Sequence, residues 1–182
     1  MSDMTKSVDI SVVVPLYNEE ENVVLLWERL YAVLKNLNRS YEVIFVDDGS
    51  RDGTRDKLRQ LAAAHPCLRV ILFRANFGQS AAMAAGFEAT RGDVVIAMDG
   101  DLQNDPQDIP LLLEKMAEGF DVVSGWRKNR RDKLLLRKVP SKIANRLICS
   151  ITDVRLHDTG CSLKAFRRSE EHTSELQSRQ VI

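Results

Sequence analysis

Two aspartates separated by one glycine have the clearest capacity for chemistry in this 182-residue chain. Asp99 and Asp101 directly follow the apolar run 94–98. Because alternate side chains of extended backbone point the same way, both carboxylates can approach one cation. Gln103 adds an amide carbonyl in register, and Gly100 leaves room for backbone to lie close to a ligand. Oxygen ligands select Mg²⁺ or Mn²⁺, so the segment predicts a site for one of these ions, with a simple turn as the alternative.

A cation at this position would stabilise the negative charge that develops on a departing diphosphate, so Asp101 is a catalytic candidate as well as a metal ligand. Tyr17 offers an aromatic face to a nucleobase, and Asp48 offers a carboxylate to the hydroxyl or amino groups of a nucleoside. The segments 18–20 and 47–50 that surround these residues also suit turns and helix caps.

The elements that position these residues follow from hydrophobic periodicity. Short apolar runs alternate with helical patterns, which is typical of βαβ units and a mostly parallel sheet flanked by helices. The predicted strands are 10–14, 43–46, 68–73, 94–98 and 121–124, and the predicted helices are 20–37, 51–64, 79–90 and 106–118. Ligands of open α/β sheets bind beyond the carboxyl ends of the strands. The polar segments 15–19, 47–50, 74–78 and 99–101 all follow predicted strands, so we expect them to face one crevice.

Composition and motifs exclude several classes of protein. The net charge is zero, which argues against a dedicated nucleic-acid-binding protein, although residues 127–138 contain seven basic residues and one acidic residue. Three widely spaced cysteines without a C-x-x-C pair indicate neither a disulfide framework nor a zinc site, and fit a reducing compartment. No dinucleotide-binding G-x-G-x-x-G, P-loop, H-E-x-x-H or G-x-S-x-G motif is present. We also expect no signal peptide and no membrane-spanning segment in the sequence as given.

Five motifs in order resemble family 2 glycosyltransferases of the GT-A fold, and in particular the polyprenyl-phosphate branch typified by dolichyl-phosphate mannose synthase. They are VVVPLYNEE (12–20), VDDGSRDGT (46–54), NFGQSAAMAAGF (76–87), DGDLQNDP (99–106) and DTGCSLKAFRR (158–168). The resemblance implies an α/β GT-A domain and an inverting, metal-dependent transfer of sugar from a UDP- or GDP-linked donor to a polyprenyl phosphate. It also implies a protein at the cytoplasmic face of the plasma membrane, and leaves the oligomeric state open, a homo-oligomer included.

The resemblance also implies roles for individual residues. The nucleotide-sugar contacts would be Pro15, Tyr17, Glu19, Val46, Asp48, Asp99 and Gly100. The metal ligands would be Asp99, Asp101 and Gln103, and the acceptor phosphate would be held by Arg127, Arg137 and Ser141. Asp158 borders the sugar and acceptor in the family and is a second catalytic candidate, as a base or an orienting group. A base is dispensable, however, because a phosphate monoester is already ionised at neutral pH.

Two alternatives use the same residues. The chain would belong to a related enzyme that glycosylates a saccharide or a protein, in which case Arg127, Arg137 and Ser141 would hold no phosphate. Otherwise it would be a non-catalytic fragment that binds a nucleotide.

The last residues depart from the family pattern. Residues 1–168 are expected to form a partial glycosyltransferase domain, incomplete at its C-terminal end. Residues 169–182 show neither strand periodicity nor a helical apolar face, and residues 169–178 back-translate to a sequence resembling a sequencing-library adapter. We therefore expect residues 169–182 to be a non-native tail, and a chain that binds nucleotide and metal but transfers sugar poorly.

Overall fold

A computed structural model describes residues 8–125 and 163–168, together with the backbone of residues 180 and 181. Within this part of the chain the strands are β1 (Val8–Leu16), β2 (Tyr41–Asp47), β3 (Leu68–Leu72), β4 (Gly92–Ala97), β5 (Val122–Ser124), β6 (Lys164–Arg167) and β7 (Gln180–Val181). The helices are α1 (Val23–Leu34), α2 (Thr54–Ala64), α3 (Gln79–Glu88) and α4 (Ile109–Ala117), and a 3₁₀ turn (Pro106–Asp108) precedes α4. Among these helices none is long and apolar enough to cross a membrane.

The strands form one sheet in the order β3-β2-β1-β4-β6-β5-β7. β1 lies between β2 and β4 and is parallel to both, and β2 is parallel to β3. β6 is antiparallel to its neighbours β4 and β5. The predicted mostly parallel sheet flanked by helices is thus confirmed. β6 and the two-residue β7 were not predicted, and β7 lies in the segment where the sequence shows no strand periodicity.

The core explains why the first two strands read as continuous apolar runs. On one face of the sheet, Val12 and Phe45 pack with residues of α1 and α4, such as Leu30 and Ile109. On the other face, Ile44 and Val46 pack against Ala82 of α3. Strands covered on both faces bury every residue, and each buried aliphatic side chain contributes about 1.5–3 kcal/mol. The sheet is therefore a rigid base for the loops that leave its carboxyl edge.

Two predicted helix starts differ in outcome. The start at Asp105–Pro106 is confirmed, because the Asp105 carboxylate accepts a hydrogen bond from the amide of Gln107 at 3.0 Å. The first helix begins at Val23, three residues later than predicted. The reason is a turn, in which the Glu19 carbonyl accepts hydrogen bonds from the amides of Asn22 and Val23.

Candidate functional site

A pocket of about 400 Å³ opens at the carboxyl ends of β1, β2 and β4. Its lining residues are Pro15, Leu16, Tyr17, Glu19, Asp48, Asn76, Gly78, Gln79, Asp99, Gly100 and Asp101. Seven of the nucleotide, metal and catalytic residues predicted from the sequence are in this set, which follows from the parallel arrangement of the three strands. Of the residues predicted for these roles that the structure describes, Val46 and Gln103 are absent from the lining.

The loop after β1 is fastened to the loop after β2 by reciprocal hydrogen bonds. The Asn18 amide donates to Ser50 Oγ at 2.8 Å, and the Asn18 side-chain oxygen accepts from the Arg51 amide at 2.9 Å. The Glu19 amide donates to Thr54 Oγ1 at 2.9 Å. Asn18 has a φ of 55°, a left-handed conformation that asparagine tolerates better than most residues. The loop after β1, which carries Tyr17 and Glu19, is thus held in place by the segment that connects β2 to α2.

A second set of contacts extends the same connection. The Glu20 carboxylate accepts from the Gly53 amide at 2.9 Å, and the Glu20 amide donates to Asp52 at 3.2 Å. Asp52 also accepts from Thr54, through both its amide and its hydroxyl. Partial burial would raise the pKa of Asp52, but these hydrogen bonds outweigh it and the pKa lies below its ordinary value. The segments 18–20 and 50–54 are therefore joined by a network of hydrogen bonds in both directions.

The two adjacent aspartates at the end of β2, Asp47 and Asp48, have different roles. Asp47 is fully buried and receives a hydrogen bond from Arg55 Nε at 2.7 Å. It also accepts from the Ser50 amide, and Arg55 donates to the carbonyl oxygen of Phe73. Asp47 therefore braces the base of the loop, and only Asp48 lines the pocket.

Asp48 is 3% exposed, and both of its carboxylate oxygens are engaged by backbone. Oδ1 accepts from the Phe77 amide at 2.7 Å and Oδ2 from the Gly78 amide at 2.9 Å. The sequence predicted contacts to a base or a ribose, whereas in the structure Asp48 first holds the loop between β3 and α3. Each carboxylate oxygen has a second lone pair, so Asp48 retains the capacity to accept from a ligand.

The metal candidates are arranged around the end of β4. Asp99 Oδ1 accepts from Gln79 Nε2 at 2.6 Å, and Asp101 Oδ1 accepts from the Gln103 amide at 3.1 Å. Leu102, between Asp101 and Gln103, has a left-handed φ of 61°. The described residues contain no group of three or more His, Cys, Asp or Glu side chains suited to a metal. Two carboxylates in one pocket fit a hard cation whose other ligands are phosphate oxygens and water.

Three predicted contacts are modified by the structure. The Val46 side chain is fully buried against α3 and does not line the pocket. The Gln103 side chain is exposed and lies outside the lining. At Gly100, an added Cβ would lie 2.3 Å from Leu16 Cδ2, so the Leu16 side chain occupies the space beside this glycine. Gly100 also lines the pocket.

Four lining residues were not predicted: Leu16, Asn76, Gly78 and Gln79. The sequence predicts that the polar segment 74–78 lies at the crevice but assigns no individual contact to it, and it predicts Gln79 only as the first residue of a helix. The remaining predicted residues, Arg127, Arg137, Ser141 and Asp158, lie outside the described residues.

The comparison with curated proteins identifies close relatives. Dodecaprenyl-phosphate galacturonate synthase of Rhizobium johnstonii is 47% identical over 170 residues, which cover 92% of this chain and 50% of the relative. Undecaprenyl-phosphate 4-deoxy-4-formamido-L-arabinose transferase of Pseudomonas paraeruginosa is 46% identical over 161 residues, which cover 88% of this chain and 47% of the relative. The chain thus spans about half the length of the curated relatives that it matches.

Solved structures show the same fold. A mannosyltransferase of Pyrobaculum calidifontis, in complex with GDP-Man and Mn²⁺, superposes with a TM-score of 0.64 at 22% identity, over 90% of this chain and 46% of that chain. Glucosyl-3-phosphoglycerate synthase of Mycobacterium tuberculosis, in complex with Mn²⁺, UDP-glucose and phosphoglyceric acid, gives a TM-score of 0.64 at 23% identity, over 88% and 56% of the two chains. The fold is accordingly the GT-A fold expected from the sequence.

The family model that matches the chain is Glycosyl transferase family 2, over residues 11–172. This range contains every residue that lines the pocket. Together with relatives of 46–47% identity, the match shows that this chain belongs to glycosyl transferase family 2.

Proposed function

We propose that this chain is the nucleotide-sugar-binding part of an inverting glycosyltransferase that moves a sugar from a UDP- or GDP-linked donor to a polyprenyl phosphate, with Mg²⁺ or Mn²⁺ as cofactor. The observation that carries the proposal is the single pocket in which Tyr17, Asp48, Asp99 and Asp101 meet. Asp48 follows β2 and Asp99 follows β4, with β1 between them. Neighbouring strands are about 4.8 Å apart, so the two strand ends are about 10 Å apart, which a nucleoside joined to a diphosphate can span.

The donor's nucleoside end is proposed to lie near Tyr17 and Asp48. Tyr17 is 42% exposed, so its ring offers a free face to a base. Asp48 has its remaining lone pairs available for a hydroxyl or amino donor.

The diphosphate end is proposed to lie near Asp99, Asp101 and the start of α3. When bound, a divalent cation supplies positive charge to the departing diphosphate. Asp99 and Asp101 would hold this ion. No side chain caps the first turn of α3, so the amide of Gln79 at its start is available to phosphate oxygens, where the helix dipole also favours negative charge.

The acceptor is proposed from the relatives, whose names specify dodecaprenyl phosphate and undecaprenyl phosphate. An ionised phosphate oxygen can attack the anomeric carbon while the bond to the diphosphate breaks on the opposite side, which inverts the configuration. Arg127, Arg137 and Ser141 are proposed to hold this phosphate, because guanidinium groups bind phosphate oxygens in a bidentate fork. We propose that this transfer takes place at the cytoplasmic face of the membrane that holds the lipid acceptor.

Calorimetry with a panel of UDP- and GDP-sugars, with and without Mn²⁺, tests the donor half of the proposal. One nucleotide class is expected to bind in a Mn²⁺-dependent manner, and both Asp99→Asn and Asp101→Asn should abolish that dependence. Asp93→Asn is the matched control, because it makes the same charge change at the other end of β4, away from the pocket. Equal binding with and without metal in the wild type, or unchanged metal dependence in both pocket variants, would contradict the proposal.

The acceptor half is tested with labelled sugar nucleotide and detergent-dispersed undecaprenyl phosphate. Any transfer should require the phosphate, so the free alcohol undecaprenol is the matched control substrate. Arg137→Ala should raise the KM for the lipid while leaving nucleotide binding intact. Equal transfer to undecaprenol, or to a soluble saccharide, would exclude the polyprenyl-phosphate assignment.

A further inference from the structure

The contact between Gln79 and Asp99 links the start of α3 to the end of β4. Gln79 Nε2 donates to Asp99 Oδ1 at 2.6 Å, and both residues line the pocket. We propose that Gln79 is a positioning residue that fixes the orientation of the Asp99 carboxylate, and that Asp48 in turn fixes Gln79 through the loop between β3 and α3. The inference rests on the proposed function, since it concerns how Asp99 presents itself to a metal and a diphosphate.

The carboxylate of an aspartate needs such a partner. Rotation about its terminal torsion is broad and roughly two-fold, so packing of the Cβ alone does not decide where the two oxygens point. With Oδ1 of Asp99 bound to Gln79, Oδ2 is left for a cation. Partners that orient metal-ligating side chains contribute substantially to metal affinity.

The position of Gln79 is set from the β2 end of the pocket, by Asp48. Asp48 accepts the amides of Phe77 and Gly78, the two residues that precede Gln79. Gly78 has φ 95° and ψ 155°, a region that is essentially restricted to glycine. This conformation directs the Gly78 amide towards Asp48 while the next residue begins the helix. The result is an unbroken connection from Asp48 through Gly78 and Gln79 to Asp99.

This connection joins two strand ends that are not neighbours in the sheet. Asp48 follows β2 and Asp99 follows β4, and β1 lies between them. A change in the hydrogen bonding of Asp48, such as a new donor from a nucleoside, would therefore be transmitted to the carboxylate at the metal end. The expected consequence is that nucleoside and cation bind cooperatively.

Gln79→Met tests the positioning role, because methionine has a similar length and volume but no hydrogen-bond donor. Mn²⁺ binding to the full chain is followed by electron paramagnetic resonance of the free ion, alone and with UDP or GDP. We expect Mn²⁺ to bind about 10-fold more weakly to Gln79→Met, at the lower end of the range for such partners because the contact is exposed. The melting temperature should not change, for the same reason.

Ser80→Ala is the matched control, since Ser80 is the next residue of α3, is exposed and does not line the pocket. It should bind Mn²⁺ like the wild type. If Gln79→Met also binds Mn²⁺ like the wild type, the positioning role is wrong. A loss of Mn²⁺ affinity that is accompanied by an equal loss in Ser80→Ala would likewise overturn it, because the effect would then belong to the helix as a whole.

Asp48→Asn tests the second half of the inference with Mn²⁺ as the only probe. The substitution keeps the shape of the side chain but places an amide group against the Phe77 or Gly78 amide. If the loop transmits the position of Asp48, Mn²⁺ affinity should fall several-fold even though no nucleotide is present. Unchanged Mn²⁺ affinity with weakened UDP or GDP binding would show that Asp48 acts only on the nucleoside.

The outcomes separate this inference from the proposed function. If the wild-type chain binds neither Mn²⁺ nor a nucleotide–Mn²⁺ complex, the proposed function fails and takes the inference with it. If the wild type binds both and Gln79→Met behaves identically, only the inference fails.

Discussion

Gly49 is the point at which the loop after β2 touches the loop after β3, and its replacement by alanine is expected to disturb both the stability and the pocket. Gly49 has a φ of 77°, and an added Cβ would lie 2.4 Å from the carbonyl carbon of Ala75 and 2.6 Å from the amide nitrogen of Asn76. These atoms belong to the backbone and cannot rotate away. Since ordinary contacts begin at 3.4 Å, the segment that contains Ala75 and Asn76 would have to move by about 1 Å.

Two costs combine in Gly49→Ala. The left-handed backbone costs an alanine about 1–2 kcal/mol, and overpacking against a fixed neighbour costs about 1–3 kcal/mol. For a domain of this size each kcal/mol lowers Tm by about 2–4 °C, so the expected loss is about 4–20 °C. Gln79 comes three residues after Asn76 of the displaced segment, so its contact with Asp99 should lengthen. Mn²⁺-dependent nucleotide binding should then weaken by about 10-fold, the equivalent of one charge-assisted hydrogen bond.

Gly119→Ala is the matched control for the backbone cost. Gly119 has a φ of 102°, but an added Cβ would meet nothing within 4 Å, and the residue lies outside the pocket lining. The Tm of Gly119→Ala should fall by only about 2–8 °C, and its nucleotide binding should be unaffected. Thermal unfolding and calorimetry on the two variants check the comparison. If Gly49→Ala binds nucleotide as tightly as Gly119→Ala, the contact between the two loops does not shape the pocket.

Three further predictions concern single side chains. Glu42→Gln should lower the stability by about 2 kcal/mol at neutral pH. Burial alone would raise the pKa of Glu42, but hydrogen bonds, led by that from Arg91, lower it. The wild-type free energy of unfolding in urea should therefore exceed that of the variant by its full amount above pH 4.5, and this difference should shrink as the pH falls further. A difference that stays constant with pH would refute this. Thr54→Val should cost about 1–3 kcal/mol and speed hydrogen exchange at the Glu19 amide, which loses its acceptor; unchanged exchange would show that the bond does not persist in solution. Burial raises the pKa of Tyr41 to about 12, so ultraviolet titration should show a late tyrosine step that Tyr41→Phe removes, and stability should fall as the pH rises from 10.0 towards 12.

The arrangement of the first four strands could be predicted because their signals are local. Continuous apolar runs indicate strands buried on both faces, and parallel strands bring their polar ends to one edge. These two rules were sufficient to predict a shared pocket for Tyr17, Asp48, Asp99 and Asp101. β6 escaped prediction because a four-residue strand carries little periodicity, and its partners in β4 lie about 70 residues earlier in the chain.

The contacts that shape the pocket could not be predicted for a related reason. The bonds from Asn18 to Ser50 and from Glu19 to Thr54 join residues more than 30 positions apart, and no local pattern marks them. The role of Gln79 could not be predicted for the same reason, because its partner Asp99 is 20 residues away on another element. Val46 was placed near the ligand by resemblance, whereas the alternation of side chains along β2 directs it under α3.

The position of β6 between β4 and β5 has a consequence for the order in which the chain can fold. During synthesis β1 to β4 can pair as soon as they emerge, but β5 cannot join the sheet until residues 164–167 have been made, because both of its described neighbours come later in the chain. Until then β4 is an edge strand whose apolar residues 94–97 present unpaired backbone groups. A nascent or shortened chain that ends before residue 164 should therefore associate through this edge, and would need a chaperone during translation more than the finished protein does.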